Sequence, residues 1–159
     1  MLLFVVYLYN KQSEIYTLKN TDMKTLAIYR SILLNEGEEI NSENLGSSWT
    51  LCEIFAEDHA NDINNALGKD GVVILKAEIN ESDIDWNNTL FAMEKRSYEY
   101  EVVLNNIEIE GRIHMSEVDG IEEGEYINGE TGNNNFEDYT ETYEGEVTIE
   151  DFMNVANEF

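Results

Sequence analysis

Basic residues are scarce in this chain. It holds 9 lysines and arginines against 34 aspartates and glutamates, so its formal net charge at pH 7 is −25. Direct binding to nucleic acid or to an anionic membrane depends on clustered lysine and arginine, and the composition argues against both partners. The same charge favours a basic protein as partner, including one whose own ligand is nucleic acid.

Cysteine occurs once, at Cys52, and proline does not occur. One cysteine excludes an intramolecular disulfide, and nothing in the sequence indicates an oxidising compartment. The apolar run over residues 1–9 is too short to span a bilayer. It also lacks the basic start and the small-residue cleavage site of a secretion signal. We therefore predict a buried strand over residues 2–9 and a cytoplasmic protein.

The apolar residues indicate an ordinary folded domain. They make up 42% of the 159 residues, with 11% aromatic, which is typical of a globular protein. Strands are expected at four apolar or alternating stretches, residues 26–34, 72–79, 99–104 and 107–113. One helix is expected over residues 51–67, where Ile54 and Phe55 belong to an apolar face. Residues 80–98 are expected to form a polar connection, and the balance predicts an α+β fold.

The last quarter of the chain differs in composition. Residues 117–159 contain fourteen acidic side chains and no lysine or arginine. Near the end, Thr148 followed by two acids and an apolar face predicts a capped helix. We predict a first domain over residues 1–115 and an acidic C-terminal extension over residues 116–159 with a terminal helix. The alternative for this extension is a solvated acidic appendage.

Two carboxylates stand one residue apart at Glu99 and Glu101. On a strand they would lie side by side on one face, because residues i and i+2 point the same way. Such a pair can divide the work of a reaction, one group orienting a hydroxyl and the other accepting a proton. The alternative is the solvated face of a strand, since Glu108 and Glu110 show the same spacing.

Arg30 lies inside the apolar stretch of residues 26–34, in a chain with three arginines. A buried guanidinium needs an anionic partner, and its planar fork suits phosphate or carboxylate. The alternative is an internal salt bridge with one of the two glutamates. Ser48 and Thr50 follow in sequence and would present two hydroxyls on one face, although Thr50 could instead cap the helix that follows.

Taken in order, these segments resemble the Arg-Ser-Glu class of mono-ADP-ribosyltransferases, the cholera-toxin-like and phage exoenzyme branch. The resemblance covers residues 29–104, near half of the chain, and leaves the acidic extension unexplained. Its segments are Arg30, residues 45–50, residues 73–79 and residues 98–104. It implies split mixed or antiparallel sheets around a cleft that binds NAD as a substrate. It also implies transfer of ADP-ribose to a host protein, on arginine.

The resemblance implies roles for individual residues. Arg30 would hold NAD through its phosphates and ribose. Ser48 and Thr50 match the first and third positions of a Ser-Thr-Ser motif, of which Ser48 supports the nicotinamide-ribose pocket. Trp49 departs from the usual middle threonine. Glu101 matches the catalytic glutamate that binds the ribose 2′-hydroxyl.

The remaining implied roles concern the acceptor. Glu99 matches the first acid of a Glu-x-Glu motif that accompanies arginine as acceptor. Residues 90–98 would be a substrate-recognition loop, with Phe91 and Tyr98 as candidate contacts. Chemically, loss of nicotinamide leaves an oxocarbenium-like ribose, which a nearby carboxylate stabilises. Glu101 would supply that charge.

A second function fits the same charge. A small acidic protein can mimic nucleic acid and block a basic target without catalysis, as an anti-restriction or anti-CRISPR inhibitor would. Small size, the absence of proline and the acidity suggest a phage or mobile-element effector under either hypothesis. No metal is expected, because His59 and His114 are isolated and no Cys/His cluster has the spacing of a metal site.

Overall fold

The computed structural model of the chain describes residues 25–34, 40–41, 45–67, 72–109, 113–116, 124–126, 129–131 and 142–159. The strand predicted over residues 2–9 lies outside them. Within this part of the chain the fold is of the α+β class, as predicted. None of the helices in these ranges is long and apolar enough to cross a membrane.

Six strands form an antiparallel sheet and two more form a small pair. The strands are β1 (Thr25–Leu33), β2 (Ser48–Thr50), β3 (Val72–Asn80), β4 (Glu101–Val103), β5 (Glu108–Ile109), β6 (Ile113–Ser116), β7 (Gly124–Tyr126) and β8 (Gly129–Glu130). The order in the larger sheet is β4-β2-β1-β3-β6-β7, and β5 pairs with β8. The single strand predicted over residues 107–113 is wrong, because its two ends belong to different sheets.

The two longest strands form the centre of the sheet. β1 and β3 pair along all of their length, from Thr25 opposite Asn80 to Leu33 opposite Val72. The start of β3 is buried on both faces: Val73 and Leu75 join the main core, and Val72 and Ile74 pack on the other side. A run of apolar, mostly β-branched residues is typical of a strand covered on both faces. The predicted central strand is confirmed.

The first helix, α1 (Glu53–Leu67), covers one face of the sheet. Its buried side chains are Ala56 and Ala60, four residues apart on one helical face. They pack with Tyr29 and Ile74. The prediction of Ile54 as part of the apolar face is wrong, since its side chain is exposed. These two alanines make the contact with the sheet, and the apolar pattern of the sequence gives such small side chains little weight.

The prediction of a polar connection over residues 80–98 is wrong. The chain forms a helix, α2 (Trp86–Lys95), between two short 3-10 helices at Glu81–Asp83 and Ser97–Glu99. Asp85 caps α2 by accepting a hydrogen bond from the Asn88 amide at 3.1 Å. Ile84 of this segment is buried in the main core, and three half-buried residues of α2 at helical spacing, Trp86, Leu90 and Met93, pack against it. The many polar residues between them hide that pattern in the sequence.

The final helix, α3 (Ile149–Ala156), confirms the predicted terminal helix. Phe152 is 2% exposed and joins the main core, where its ring meets Trp86 edge to face with centroids 5.3 Å apart. Ala156 is buried in the same cluster. This helix is therefore part of the packed structure rather than a solvated appendage. The division between residues 115 and 116 stays a prediction.

Truncation of Phe152 tests this packing. We expect Phe152→Ala to lower the free energy of unfolding by about 3–5 kcal/mol, the usual loss for a buried phenylalanine. Urea denaturation followed by circular dichroism measures the change. Ile149→Ala is the matched control, because Ile149 is exposed on the same helix. Equal, small effects of the two substitutions would show that α3 does not pack in the core.

The start of α3 makes a pH-dependent contribution to stability. The Thr148 hydroxyl and amide donate to Asp151 Oδ2 at 2.6 and 2.8 Å. These hydrogen bonds lower the pKa of Asp151 from its ordinary value of 3.8. We expect Asp151→Asn to lower the free energy of unfolding at any pH above that ordinary pKa. The difference from wild type should fade as the pH falls through the lowered pKa, because both states then bind the proton. Urea titrations across this range measure it, and a difference that grows in acid would contradict the assignment.

Candidate functional site

A cleft of about 220 Å³ opens between β1 and β2. These two strands pair at one position, Tyr29 opposite Thr50, although β1 continues four residues further. The cleft lies where the pairing stops. It is lined by Tyr29, Arg30, Ser31, Ser48, Trp49, Thr50, Phe55, Ala56, His59, Glu99 and Glu101. All five residues predicted to catalyse or to bind NAD are in this lining: Arg30, Ser48, Thr50, Glu99 and Glu101.

Arg30 spans the gap between the two strands. Its Nη1 donates to the backbone carbonyl of Ser48, and its buried Nε has no hydrogen-bond partner among the described residues. Burial lowers the pKa of Arg30, and the charge of Glu101 opposes that shift. In the described part of the chain Arg30 forms no ion pair, so the predicted alternative of an internal salt bridge is wrong. The guanidinium keeps a buried donor at the cleft.

Glu101 is the first residue of β4 and is 6% exposed. Its Oε1 accepts a hydrogen bond from the Ser48 hydroxyl, and its Oε2 accepts one from Nη2 of Arg96 at 2.6 Å. Both carboxylate oxygens are therefore held, as a buried charge requires. β2 and β4 are adjacent, with Thr50 opposite Glu101 in the register. Serine and glutamate, distant in sequence, meet because these two short strands pair.

The prediction that Glu99 and Glu101 lie side by side on one strand is wrong. Glu99 ends a 3-10 helix, and β4 begins only at Glu101. Between them Tyr100 takes the left-handed conformation with φ at 50°, which breaks the alternation of a strand. A non-glycine residue in this region is held there by its surroundings. Here the Tyr100 carbonyl accepts a hydrogen bond from the Leu51 amide at 3.0 Å, and the ring centroids of Tyr100 and Phe159 are 4.9 Å apart.

The two carboxylates are brought together by Arg96, a residue that the sequence reasoning missed. Arg96 Nε lies 3.4 Å from Glu99 Oε2, and Arg96 Nη2 bonds Glu101 as described above. This cation reduces the repulsion expected between two adjacent carboxylates. A signal was present in the sequence, because Arg96 is one of three arginines and stands three and five residues before the glutamates.

Thr50 lines the cleft, but its hydroxyl serves the protein backbone. It donates to the Glu99 carbonyl at 2.8 Å and accepts from the Cys52 amide at 3.1 Å. The first contact ties Thr50 to the turn that carries Glu99, and the second forms a local turn just before α1. The expectation that Thr50 presents a free hydroxyl beside Ser48 is therefore wrong. The alternative of a helix cap is not observed either, because the Cys52 amide that Thr50 accepts from lies before Glu53, the first residue of α1. Trp49 packs in the main core and also lines the cleft.

The two residues predicted to contact an acceptor lie outside the cleft. Phe91 is on α2, half-buried, with Lys95 Nζ 5.7 Å from its ring centroid. Tyr98 is exposed and lines a second cavity, whose lining also includes Glu101, Phe152 and Val155. The recognition loop predicted over residues 90–98 is wrong in its secondary structure, because α2 and a 3-10 helix occupy most of it.

A second pair of side chains in the cleft also escaped the sequence reasoning. Ser31 Oγ and His59 Nδ1 are 2.7 Å apart, joining β1 to α1. The pair lies twenty-eight residues apart in sequence, so no local motif reveals it. In the described ranges no group of three or more His, Cys, Asp or Glu side chains is arranged to hold a metal ion.

Comparison with known proteins adds no relative: no protein-family model, no curated protein and no solved structure matches the chain. The chemistry of the cleft therefore has to be read from its own residues. One end offers the half-buried guanidinium of Arg30, which suits an anion. The other offers a fixed carboxylate and a serine hydroxyl, which suit a ligand hydroxyl.

A double-mutant cycle tests the ion pair between Arg96 and Glu101. We expect the substitutions Arg96→Gln and Glu101→Gln to be non-additive, with a coupling energy of about 1 kcal/mol in the free energy of unfolding. This value allows for the 36% exposure of Arg96. The control cycle pairs Arg96→Gln with Glu108→Gln, an exposed glutamate on β5. Coupling no larger than in the control would show that the pair does not form.

Proposed function

We propose that this protein is an NAD-dependent mono-ADP-ribosyltransferase and that the cleft is its active site. One observation carries the proposal. Arg30, Ser48 and Glu101 come from three different strands, and they converge on one cleft in which Ser48 bonds Glu101. A site that cleaves the nicotinamide glycosidic bond of NAD needs a cation for the diphosphate and a carboxylate for the ribose. Arg30 supplies the cation and Glu101 supplies the carboxylate, and both residues line the same cleft.

Arg30 is the group proposed to bind the diphosphate. Arg30 lines the cleft, and the hydrogen bond from its Nη1 to the Ser48 carbonyl orients its guanidinium there. Charge-assisted hydrogen bonds from guanidinium to phosphate are among the stronger polar contacts in proteins. In a chain with a net charge of −25, such a cation at the cleft offsets the repulsion that an anionic dinucleotide would otherwise meet.

Glu101 is the residue proposed to act on the ribose. As nicotinamide leaves, positive charge develops on the ribose, and a carboxylate hydrogen-bonded to the 2′-hydroxyl stabilises it. Ser48 and Arg96 hold the two carboxylate oxygens in place before the ligand binds. A group oriented in advance needs little reorganisation during the reaction. Glu99 is proposed to orient the acceptor and to take its proton.

The size of the cleft limits what it can enclose. At about 220 Å³ it is below the roughly 300–1,000 Å³ of sites that enclose a whole drug-sized ligand. We therefore assign it to the nicotinamide ribose and the adjoining phosphate, with the adenosine on the outer surface. β1 and β2 are neighbours in one six-stranded sheet and pair at a single position beside the cleft, so the split-sheet arrangement implied by the resemblance is not seen in the described residues.

The proposed target is a basic host protein modified on arginine, in the manner of a phage or mobile-element effector. Two features support it. The acidic surface favours docking on a basic partner. The cleft also places a second carboxylate, Glu99, beside Glu101 through their shared contact with Arg96. That second acid is the group that an arginine acceptor would need.

A second candidate, inhibition of a basic target by binding alone, is favoured by one observation, the net charge of −25. It would need no cleft, and it would leave Arg30 sealed in a salt bridge. Within the described residues Arg30 is hydrogen-bonded to a backbone carbonyl instead. The transferase is the better supported proposal for this reason.

Labelled NAD incubated with purified protein and a bacterial lysate tests the proposal. We expect the wild type to transfer label to discrete lysate proteins and to release nicotinamide. Glu101→Gln should lower both by about 100-fold or more, because it removes the charge that stabilises the ribose. Glu108→Gln is the matched control: it makes the same substitution on an exposed residue and should behave as wild type.

The two possible failures of this experiment differ in meaning. If wild type neither transfers label nor releases nicotinamide, the transferase proposal fails and binding inhibition takes its place, with a pull-down from the same lysate as the next step. If Glu101→Gln remains as active as the Glu108→Gln control, an NAD-consuming activity exists, but the cleft is not its site.

A further inference from the structure

We propose that an apolar groove away from the cleft binds a segment of a partner protein, one that carries a large apolar side chain with lysines or arginines on either side. The groove is formed by the start of β1, the start of α1 and the end of α3, and its volume is about 470 Å³. Among the described residues, the groove and the cleft share Tyr29 alone. The inference goes beyond the proposed function, because it holds whether the partner is modified or only blocked.

The groove has a buried apolar base and exposed apolar walls. Leu26, Leu51 and Ala156 line it and are buried. Ile54 and Phe159 line it as well, yet their side chains are 67% and 59% exposed. Single exposed apolar side chains are common on any protein, whereas several beside one cavity are typical of a binding surface.

Both walls are held in place without a partner. The ring of Phe159 meets that of Tyr100 edge to face, with the centroids 4.9 Å apart. Ile54 belongs to the first turn of α1, and this helix is anchored to the sheet by Ala56 and Ala60. A surface that is formed in advance loses less conformational entropy when a partner binds.

The exposed walls favour a protein segment over a small molecule. The volume lies within the roughly 300–1,000 Å³ of ligand sites, so the groove has room for a large apolar side chain. A small molecule that filled only the base would leave the outer parts of Ile54 and Phe159 in water. A helix lying across the groove covers both of them while one of its apolar side chains enters between them.

The charges around the groove select a basic partner. Glu53 is the one charged residue among the described residues that line it. Glu57, Asp58 and Asp62 follow on α1 and are exposed, and this helix contains no lysine or arginine. Glu57 lies one turn beyond Glu53 and therefore on the same side of the helix. The charge also argues against a second copy of this chain as the occupant, because two chains with a net charge of −25 repel each other.

Fluorescence anisotropy of a labelled synthetic peptide, titrated with the whole chain, tests this inference. The probe is an amphipathic helical peptide of leucine and lysine. The control peptide has serine in place of every leucine and so carries the same charge. We expect the leucine peptide to bind the wild type at least about 10-fold more tightly, because burial of one apolar side chain is worth such a factor or more.

Variants of the chain locate the bound peptide. Ile54→Ser and Phe159→Ser should each weaken binding of the leucine peptide by about 10-fold. Ile149→Ser is the matched control, because Ile149 is also exposed but does not line the groove. Glu53→Gln should weaken binding by about twofold to fivefold at low salt, and this loss should disappear at high salt, where exposed charges are screened.

Each contrary result overturns the inference in a different way. Equal affinity for the two peptides would show attraction by net charge alone. Equal affinity of the Ile54→Ser and Ile149→Ser variants would place the peptide elsewhere on the protein. A wild-type dimer in sedimentation that is lost in Ile54→Ser would assign the groove to a second copy.

A small apolar ligand is the remaining alternative. Binding of the uncharged dye Nile red to wild type but not to Ile54→Ser, together with no binding of the leucine peptide, would assign the groove to such a ligand and overturn the inference. None of these measurements uses NAD. Their failure therefore leaves the proposed transferase standing, and failure of nicotinamide release leaves the groove as a docking site.

Discussion

The hydrogen bonds to the Glu101 carboxylate are the constraint on which the rest of the cleft depends. Because Glu101 is 6% exposed, its charged carboxylate needs hydrogen-bond partners, and the protein supplies one partner for each carboxylate oxygen. Ser48 reaches it from β2, and Arg96 reaches it from the end of α2. The chain must therefore bring a short strand and a helix terminus to the same point, which defines how β2, β4 and α2 are arranged.

Several weaker contacts hold that arrangement. Thr89 of α2 is fully buried, donates to the Val103 carbonyl at 3.2 Å and accepts from the Val103 amide at 3.0 Å. Thr50 donates to the Glu99 carbonyl, which ties β2 to the turn before β4. Together these hydroxyls stabilise a turn whose central residue, Tyr100, has a positive φ. Buried hydroxyls that bond backbone groups in this way position a site without touching a ligand.

The electrostatic design of the cleft contrasts with that of the whole chain. The protein has a net charge of −25, yet two of its three arginines are found at this site. Arg30 lines the cleft, and Arg96 contacts Glu99 and Glu101. A locally balanced site within an acidic surface is suited to an anionic small molecule and to a basic macromolecule at once. This combination is what links the proposed NAD chemistry with the proposed basic target.

The sequence alone determined the strands at residues 26–34 and 72–79, the helix after residue 51 and the capped terminal helix. Local pattern suffices there, because periodicity, capping and residue chemistry are short-range properties. Only the tertiary structure decided the role of Arg96, the hydroxyl contacts of Thr50 and the turn at Tyr100. These depend on β2, β4 and α2 meeting in space, and the energy that holds Tyr100 in its conformation comes from residues distant in sequence.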